Sequence, residues 1–277
     1  MNDKVGLIAG NGEYPLIFTE EAQKCGVEVV AICIRGETRP ELAELADSSF
    51  WVYLGRFGGL IEKLKHAGVA QVVLAGQIKH MKIFRNFRFD LKALELFKSV
   101  RDKRADSLLL AAVEALEKEN IHVLPSTTFL SHLLCKEGIM GKRKPHKREL
   151  KDITFGTPLA REIAGMDIGQ TIVVKDKSVI AVEGMDGTDA TIKRAGQIAG
   201  PGCVVIKVSK PSQDMRFDVP IIGRDTIFSL IEAHSSAMAV DAQKCLFLNQ
   251  DESLALINKN KICLIGQTDD DIISQAS

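Results

Sequence analysis

Two short polar clusters in the second half of the chain have the composition of a phosphate site. The first spans residues 183–189 and contains Glu183 and Asp189, and the second spans residues 210–220 and contains Asp218. Each cluster follows an apolar run typical of a strand. Carboxylate oxygens are ligands that Mg²⁺ prefers, and bound Mg²⁺ keeps waters that can attack phosphorus. We therefore predict a metal-assisted phosphate site with Asp218, Glu183 and Asp189 as metal ligands.

Cations lie just before and within the second cluster. Lys207, Lys210 and Arg216 could neutralise charge on phosphoryl oxygens, and Gln213 stands beside them as a further substrate-binding candidate. Asp218 could hold the metal or orient water, and we predict a catalytic role for it. A turn or a salt bridge would also explain an aspartate at this position.

Thr188 stands near the start of a predicted helix, where a threonine side chain can cap the helix. Capping alone would explain Thr188, but it does not explain Glu183 at the end of an apolar strand. Thr188 becomes a substrate-binding candidate only through the family resemblance described below.

A glycine turn follows the first predicted strand. Gly10, Asn11 and Gly12 stand where nucleotide-binding folds place a phosphate turn, because glycine permits positive φ and a close approach of backbone to an anion. A dinucleotide fingerprint would place its third glycine at position 15, which is Pro15. The turn does not predict NAD binding, and a tight strand-to-helix turn without ligand is the alternative.

Gly76 and Gln77 end a later strand on the side where open α/β sheets bind ligands, so they could join the same crevice as Gly10. A basic stretch interleaved with aromatic residues follows at 79–89. Such a stretch can bind nucleic acid by stacking, lie against lipid, or be an exposed amphipathic segment. Because basic and acidic residues number 36 each, we expect no nucleic-acid partner.

Apolar β-rich runs alternate with segments of helical period in the first half of the chain. This order predicts an α/β fold with a parallel, Rossmann-like sheet. The periodic pattern of apolar residues is interrupted at 138–150, and five of the seven residues at 142–148 are Lys or Arg. We predict an N-terminal domain at 1–137, a basic linker at 138–149 and a mixed α/β catalytic domain at 150–277. An anion-contacting segment is the alternative to a linker.

The same patterns give approximate bounds for the elements. Strands are predicted at 5–9, 27–34, 50–54, 71–75, 122–124, 171–182 (a hairpin turned at Asp176 and Lys177) and 203–208. Helices are predicted at 15–26, 58–67, 105–119, 150–164, 188–199 and 226–234.

Composition limits the class of protein. A chain of 277 residues with 45% hydrophobic content can bury a full core, so disorder is not expected. No run reaches the roughly 18 apolar residues of a membrane span, and the N-terminus lacks the pattern of a secretory signal, so we expect a cytoplasmic protein. The six cysteines include no Cys-x-x-Cys pair, and the histidines show no metal-ligand spacing.

The polar clusters and the glycine turn together resemble the UDP-2,3-diacylglucosamine pyrophosphatases of the LpxI type, which act in bacterial lipid A synthesis. The matching segments occur in family order and span nearly the whole chain. They are residues 6–15, 74–77, 167–170, 181–189 and 210–223.

This resemblance implies a Mg²⁺-dependent hydrolase that cleaves the pyrophosphate of UDP-2,3-diacylglucosamine to UMP and lipid X. Water would attack the α-phosphorus. The family's essential aspartate corresponds to Asp218, its Thr-Asp pair to Thr188 and Asp189, and a helix-opening threonine to Thr226. Position 11 is Asn11 where glycine is commoner in the family, and asparagine tolerates left-handed backbone geometry.

The implied substrate is a glycolipid nucleotide held in a membrane. We therefore expect transient contact with the inner-membrane surface, with residues 79–89 as a candidate surface, and we expect a homodimer. Two alternatives remain. One is a nucleotide-sugar transferase or oxidoreductase that uses the N-terminal domain for a cofactor, and the other is a nucleotide-lipid sensor or carrier that binds without turnover.

Overall fold

Two sheets organise the chain in the computed structural model, which describes residues 3–78, 89–100, 105–211 and 213–268. The predicted basic and aromatic stretch at 79–89 lies outside the described residues except for Phe89. Each sheet belongs to its own unit. The first unit comprises Met1–Ser131 and Asp214–Asp218, and the second comprises His132–Gln213 and Val219–Ser277.

The sheet of the first unit is parallel, with the strand order β3-β2-β1-β4-β5. Its strands are β1 (Lys4–Ala9), β2 (Glu28–Ile34), β3 (Ser48–Val52), β4 (Gln71–Ala75) and β5 (His122–Val123). The helices of this unit are α1 (Tyr14–Lys24), α2 (Glu41–Leu45), α3 (Phe57–His66), α4 (Leu91–Ser99) and α5 (Ala105–Lys118).

The central strands β1 and β2 are apolar along nearly their whole length, which suits strands that are covered on both faces. Val30, Ile32, Leu64, Val72 and Leu116 are fully buried and pack together in one core. This core fixes the carboxyl ends of β1 and β4 side by side, because the two strands pair in register from Gly6 with Val72 to Ala9 with Ala75.

The sheet of the second unit is mixed, with the order β6-β13-β11-β9-β7-β8. Strands β9, β11 and β13 are parallel, whereas β7 runs antiparallel to both β8 and β9. Its strands are β6 (Gly138–Ile139), β7 (Thr171–Lys175), β8 (Ser178–Val182), β9 (Val204–Lys207), β11 (Ala237–Asp241) and β13 (Cys263–Gln267). A separate parallel pair is formed by β10 (Ile221–Ile222) and β12 (Leu246–Phe247).

Helices cover both faces of this second sheet. They are α6 (Lys147–Gly165), α7 (Gly187–Ala199), α8 (Arg224–Glu232) and α9 (Gln250–Lys259), preceded by a 3₁₀ turn at Ser131–Leu133. One core joins Ile153 and Ala160 of α6 to Ile206 of β9, and another joins Ile192 of α7 to Leu230 of α8. The result confirms the coarse prediction of two α/β units.

The predicted hairpin is present at the edge of the second sheet. Asp176 and Lys177 connect β7 to β8 with φ of 52° and 55°. Positive φ at both turn residues matches the type I′ geometry that follows the twist of paired strands. The amide groups of both residues donate to the carboxylate of Asp152, at 3.1 and 2.7 Å.

The residues predicted as a linker at 138–149 lie inside the second unit. Strand β6 pairs antiparallel with β13, and α6 begins at Lys147. Arg143 forms an ion pair with the buried Glu149 at 2.7 Å, so part of the positive charge of this stretch is structural rather than solvated. Composition alone does not show whether the cations of a basic run face water or a buried carboxylate, so this stretch was predicted to be a linker.

Among the residues that the structure describes, no helix has both the length and the apolar character needed to cross a membrane.

Candidate active site

Lys207 is a buried cation at the end of β9. Only 7% of the residue is exposed, and its ammonium donates to the Thr188 hydroxyl at 2.8 Å and more weakly to the Thr171 hydroxyl at 3.5 Å. It forms no ion pair with a carboxylate of the described residues. The Asp189 carboxylate attracts this ammonium without forming an ion pair with it. A buried charge without a close counter-charge is costly. This ammonium is therefore suited to an anionic ligand.

The antiparallel pairing of β7 with β9 explains part of this arrangement. Thr171 lies directly opposite Lys207 in the register, and the Thr171 hydroxyl is 3.3 Å from the Thr188 hydroxyl. Thr188 is the second residue of α7, so the start of that helix lies beside the first residue of β7 and the last residue of β9. Thr171 was not among the candidates predicted from the sequence. A threonine that opens a strand carries no signal beyond ordinary β-propensity.

Glu183 follows β8 and is held by two hydrogen bonds. One carboxylate oxygen accepts from the Gln170 amide at 3.1 Å, and the other accepts from the Thr188 hydroxyl at 2.8 Å. The predicted candidates Glu183, Thr188 and Lys207 are thus brought together in one hydrogen-bonded chain.

Asp189 lies next to Thr188 in the first turn of α7. Burial raises the pKa of its carboxyl group, a hydrogen bond from Thr226 opposes that effect, and the neighbouring carboxylate of Asp225 adds to it. Its Oδ1 atom is buried and has no hydrogen-bond partner among the described residues. Thr226, in the first turn of α8, is itself 7% exposed.

The implied Mg²⁺ can be tested against these donors. Among the described residues, no group of three or more His, Cys, Asp or Glu side chains is placed to hold a metal ion. Mg²⁺ is often held by only one or two carboxylates together with substrate phosphates and waters. The unpartnered buried oxygen of Asp189 fits that kind of ligand, whereas each oxygen of Glu183 already accepts a hydrogen bond.

Lys210 and Gln213 form a local turn in the second unit. The Lys210 ammonium pairs with Asp167 at 2.7 Å, and the Lys210 amide donates to the Gln213 side-chain oxygen at 2.8 Å. These contacts explain both residues structurally. Their predicted role in binding substrate stays a prediction.

In the first unit, the two glycine turns pack against each other. The Asn11 amide donates to Gln77 at 2.7 Å, and the Gln77 amide donates to Asn11 at 3.1 Å. A Cβ atom at Gly10 would lie 2.6 Å from the Gln77 carbonyl oxygen, and one at Gly76 would lie 2.6 Å from the Asn11 carbonyl oxygen. Gly12 has φ of 104°, and a Cβ atom added there would have no atom within 4 Å. Close backbone packing is therefore sufficient to require Gly10 and Gly76.

Asp218 belongs to a short segment, Asp214–Asp218, that the contacts assign to the first unit. From the sequence, Asp218 was predicted to belong to a domain at 150–277. Ser126 holds this segment in place, because its amide donates to Met215 at 2.7 Å and its hydroxyl lies 2.6 Å from the Arg216 carbonyl oxygen. Such contacts between distant parts of the chain leave no periodic signal in the sequence.

Arg216 pairs with Asp214 through two nitrogen atoms. Its Nε and Nη2 atoms donate to the two carboxylate oxygens at 3.0 and 2.7 Å. This hydrogen-bonded pair lowers the pKa of Asp214 and raises that of Arg216. The Asp218 amide donates to the Asp214 carbonyl oxygen at 3.1 Å. Asp214 therefore shapes the turn that carries both predicted residues.

Comparison with known families matches almost the whole chain. The LpxI N-terminal domain model matches residues 4–133, and the LpxI C-terminal domain model matches residues 136–265. The chain is also 27% identical, over 274 residues, to UDP-2,3-diacylglucosamine pyrophosphatase LpxI of Caulobacter vibrioides, covering 95% of this chain and 97% of that protein.

Two solved structures show a distant similarity to this chain. Urea carboxylase of Kluyveromyces lactis matches 47% of this chain at a TM-score of 0.29 and 16% identity, over 10% of its own chain. Pyruvate carboxylase of Rhizobium etli matches 46% of this chain at a TM-score of 0.28 and 16% identity, over 11% of its own chain. Likenesses at these scores carry no argument about fold or function.

Proposed function

This chain belongs to the LpxI family, whose domain models together match residues 4–133 and 136–265, and on that premise we propose how it acts as a UDP-2,3-diacylglucosamine pyrophosphatase of lipid A synthesis. In the proposed reaction, water attacks the α-phosphorus and the products are UMP and lipid X. The reaction depends on Mg²⁺.

The buried ammonium of Lys207 is the observation that carries this proposal. The carboxylate of Asp189 attracts this ammonium without forming an ion pair or hydrogen bond with it, and a pyrophosphate would supply negative charge in direct contact. Fixed cations that contact phosphoryl oxygens stabilise the charge that develops during transfer, and they do so more strongly where water is excluded. Lys207 therefore binds the pyrophosphate in our account, and Thr188 and Thr226 line the same part of the second unit.

Carboxylates of both units have proposed roles. Asp218 is proposed to orient the attacking water, and Asp218 and Asp189 are each proposed as metal ligands. Glu183 was also predicted from the sequence as a metal ligand, but both of its carboxylate oxygens already accept hydrogen bonds. Bound Mg²⁺ neutralises phosphate charge and lowers the pKa of a coordinated water. The Oδ1 atom of Asp189 has no hydrogen-bond partner among the described residues, which supports Asp189 as a metal ligand. The oxygens of Glu183 both accept hydrogen bonds, so they give less support to Glu183 as a ligand.

The first unit is proposed to take the nucleotide end of the substrate. Its parallel strand order β3-β2-β1-β4-β5 supports a Rossmann-like classification. Gly10, Asn11, Gly12, Gly76 and Gln77 follow β1 and β4 at the carboxyl edge, where such sheets bind ligands. Lys210, Gln213 and Arg216 remain proposed contacts of the phosphates.

We also propose a cytoplasmic enzyme that touches the inner membrane transiently, because the two acyl chains of its substrate lie in the bilayer. A homodimer and a contact surface at 79–89 are part of the same proposal.

The test is to incubate purified protein with UDP-2,3-diacylglucosamine in oxygen-18 water, with Mg²⁺ or with EDTA, and to identify the products by mass spectrometry. We expect UMP and lipid X only with Mg²⁺, with the label in UMP. Label in lipid X would overturn attack at the α-phosphorus. Binding without any cleavage would instead indicate a sensor or carrier.

A further inference from the structure

We propose that Glu183 is a positioning residue, which acts through the Thr188 hydroxyl to hold the Lys207 ammonium in place for the pyrophosphate. The inference rests on the proposed function and deepens it. It gives Glu183 a role different from the metal ligand that the sequence suggests, and it adds Thr171 as a second hydroxyl that supports Lys207.

The chemistry of the donors fixes the direction of the hydrogen-bond chain. An ionised carboxylate only accepts and an ammonium only donates, so the Thr188 hydroxyl must give its proton to Glu183 and accept from Lys207. The two distances, 2.8 Å each, are those of good hydrogen bonds. The negative charge of Glu183 thus orients a lone pair of Thr188 toward the ammonium.

Glu183 is itself fixed by backbone groups of β7 and the residue before it. Its second carboxylate oxygen accepts from the Gln170 amide at 3.1 Å, and its own amide donates to the Thr171 carbonyl oxygen at 2.9 Å. A glutamine at 183 could not accept with both side-chain atoms, because its NH₂ group only donates. Glu183→Gln therefore breaks the chain at one end or the other.

A lysine ammonium has to be held in place by hydrogen bonds because its four-carbon side chain is flexible and its charge is compact, with three donors. Thr188 takes one donor at 2.8 Å, and Thr171 lies within reach of a second at 3.5 Å. At least one N–H remains for a phosphoryl oxygen. Holding the ammonium in one position before the substrate arrives avoids reorganisation during the reaction.

The test compares three variants with a matched control. Thr188→Val removes the bridging hydroxyl, Thr188→Ser keeps it, and Glu183→Gln leaves only one of the two acceptor atoms of the side chain. Thr191→Val is the control, since Thr191 is a buried threonine of the same helix whose hydroxyl donates at 2.9 Å to the Gly187 carbonyl oxygen. The measurements are kcat, KM, the Mg²⁺ concentration for half-maximal rate, and the side-chain ¹⁵N signal of Lys207, assigned by its loss in Lys207→Met.

We expect Thr188→Val and Glu183→Gln each to lower kcat/KM by about 10- to 100-fold. The kcat/KM of the double variant should lie within about threefold of that of the less active single variant, because both substitutions break the same hydrogen-bond chain. Thr188→Ser should recover most of the activity. The Mg²⁺ requirement should stay unchanged, and the Lys207 signal should shift or broaden in Thr188→Val and Glu183→Gln but not in Thr191→Val.

A Glu183→Gln enzyme with an unchanged Lys207 signal and a Mg²⁺ requirement raised about tenfold or more would make Glu183 a metal ligand and overturn the inference. Equal losses in Thr188→Ser and Thr188→Val would also overturn it. Failure of the wild-type enzyme to turn over would overturn the proposed function, whereas the Lys207 signal tests the hydrogen-bond chain without substrate.

Discussion

The ammonium of Lys207 and the hydroxyl of Thr188 are 2.8 Å apart, and they join the end of β9 to the first turn of α7. Lys207 is 7% exposed and has no ion-pair partner among the described residues. A buried cation without a close counter-charge is expected to lower stability. Residues that are unfavourable for folding are expected where binding or catalysis requires them.

Lys207→Met should lower kcat/KM by about 10³-fold, because the pyrophosphate loses a buried cation. It should leave the free energy of unfolding unchanged or raise it by about 1 kcal/mol, since an unpaired buried charge is removed. Lys210→Met is the matched comparison. Lys210 pairs with Asp167 at 2.7 Å, so this variant should lose about 1 kcal/mol of stability. Urea unfolding and steady-state rates measure both effects. A Lys207→Met protein that is less stable than Lys210→Met would contradict the account.

Gly76→Ala should destabilise the first unit by about 3 kcal/mol. Gly76 has φ of 88°, and a Cβ atom there would lie 2.6 Å from the Asn11 carbonyl oxygen. Gly59→Ala is the control, because Gly59 lies in α3, has no atom within 4 Å of the added carbon and should gain about 0.5 kcal/mol. Thermal or urea unfolding distinguishes them, and equal stability of the two variants would refute the packing argument.

Ser126→Ala should lower kcat by about tenfold, because the segment that carries Asp218 loses an anchor. The Ser126 hydroxyl lies 2.9 Å from the Leu74 carbonyl oxygen and 2.6 Å from that of Arg216. The expected loss of stability is only about 1 kcal/mol, the value of one hydrogen bond. Thr128→Ala, which removes a local hydrogen bond to Pro125 at an exposed site, is the control and should retain full kcat. An unaltered kcat in Ser126→Ala would show that this anchor does not position Asp218.

Glu149→Gln should cost about 2 kcal/mol at pH 7, since it leaves Arg143 without its carboxylate partner. Burial raises the pKa of Glu149, but hydrogen bonds from Arg143 and the His146 amide outweigh burial and hold the pKa below its usual 4.5. A lowered pKa contributes stability that is complete above about pH 4.5 and is lost as pH falls through the folded-state pKa. The difference between wild type and variant should therefore narrow in acid.

Urea unfolding at pH 7 and at pH 3.5 measures this difference, with the exposed Glu62→Gln as the control. A gap that stays constant with pH would contradict the assignment of the stabilisation to the ionised Glu149.

Local pattern predicted most elements of the fold. Strand β4 has the predicted bounds, and the hairpin turns at the predicted Asp176 and Lys177, because alternating strands and turn residues leave strong signals. Helix α4 was not predicted, although Asp90 caps it by accepting from the Ala93 amide at 2.9 Å. That capping aspartate was the signal that could have identified the helix.

The sequence indicated candidate residues for the site but not the contacts between them. Polar residues at strand ends pointed to Glu183 and Lys207, and the family resemblance pointed to Thr188. Nothing in their spacing indicated that a hydroxyl links the carboxylate to the ammonium, since this depends on how α7 packs against β7 and β9. The assignment of Asp218 to the first unit likewise depends on Ser126, which lies far away in the chain.

In the proposed function, the enzyme hydrolyses the glycolipid nucleotide and Asp218 is essential. The most direct measurement is a side-by-side assay of wild type and Asp218→Asn, both with Mg²⁺ and UDP-2,3-diacylglucosamine, in which UMP release is followed and folding is checked by circular dichroism. We predict steady UMP release by the wild type and a loss of about 10³-fold or more in a folded Asp218→Asn protein. Equal rates in the two proteins, or no UMP from the wild type, would contradict the account.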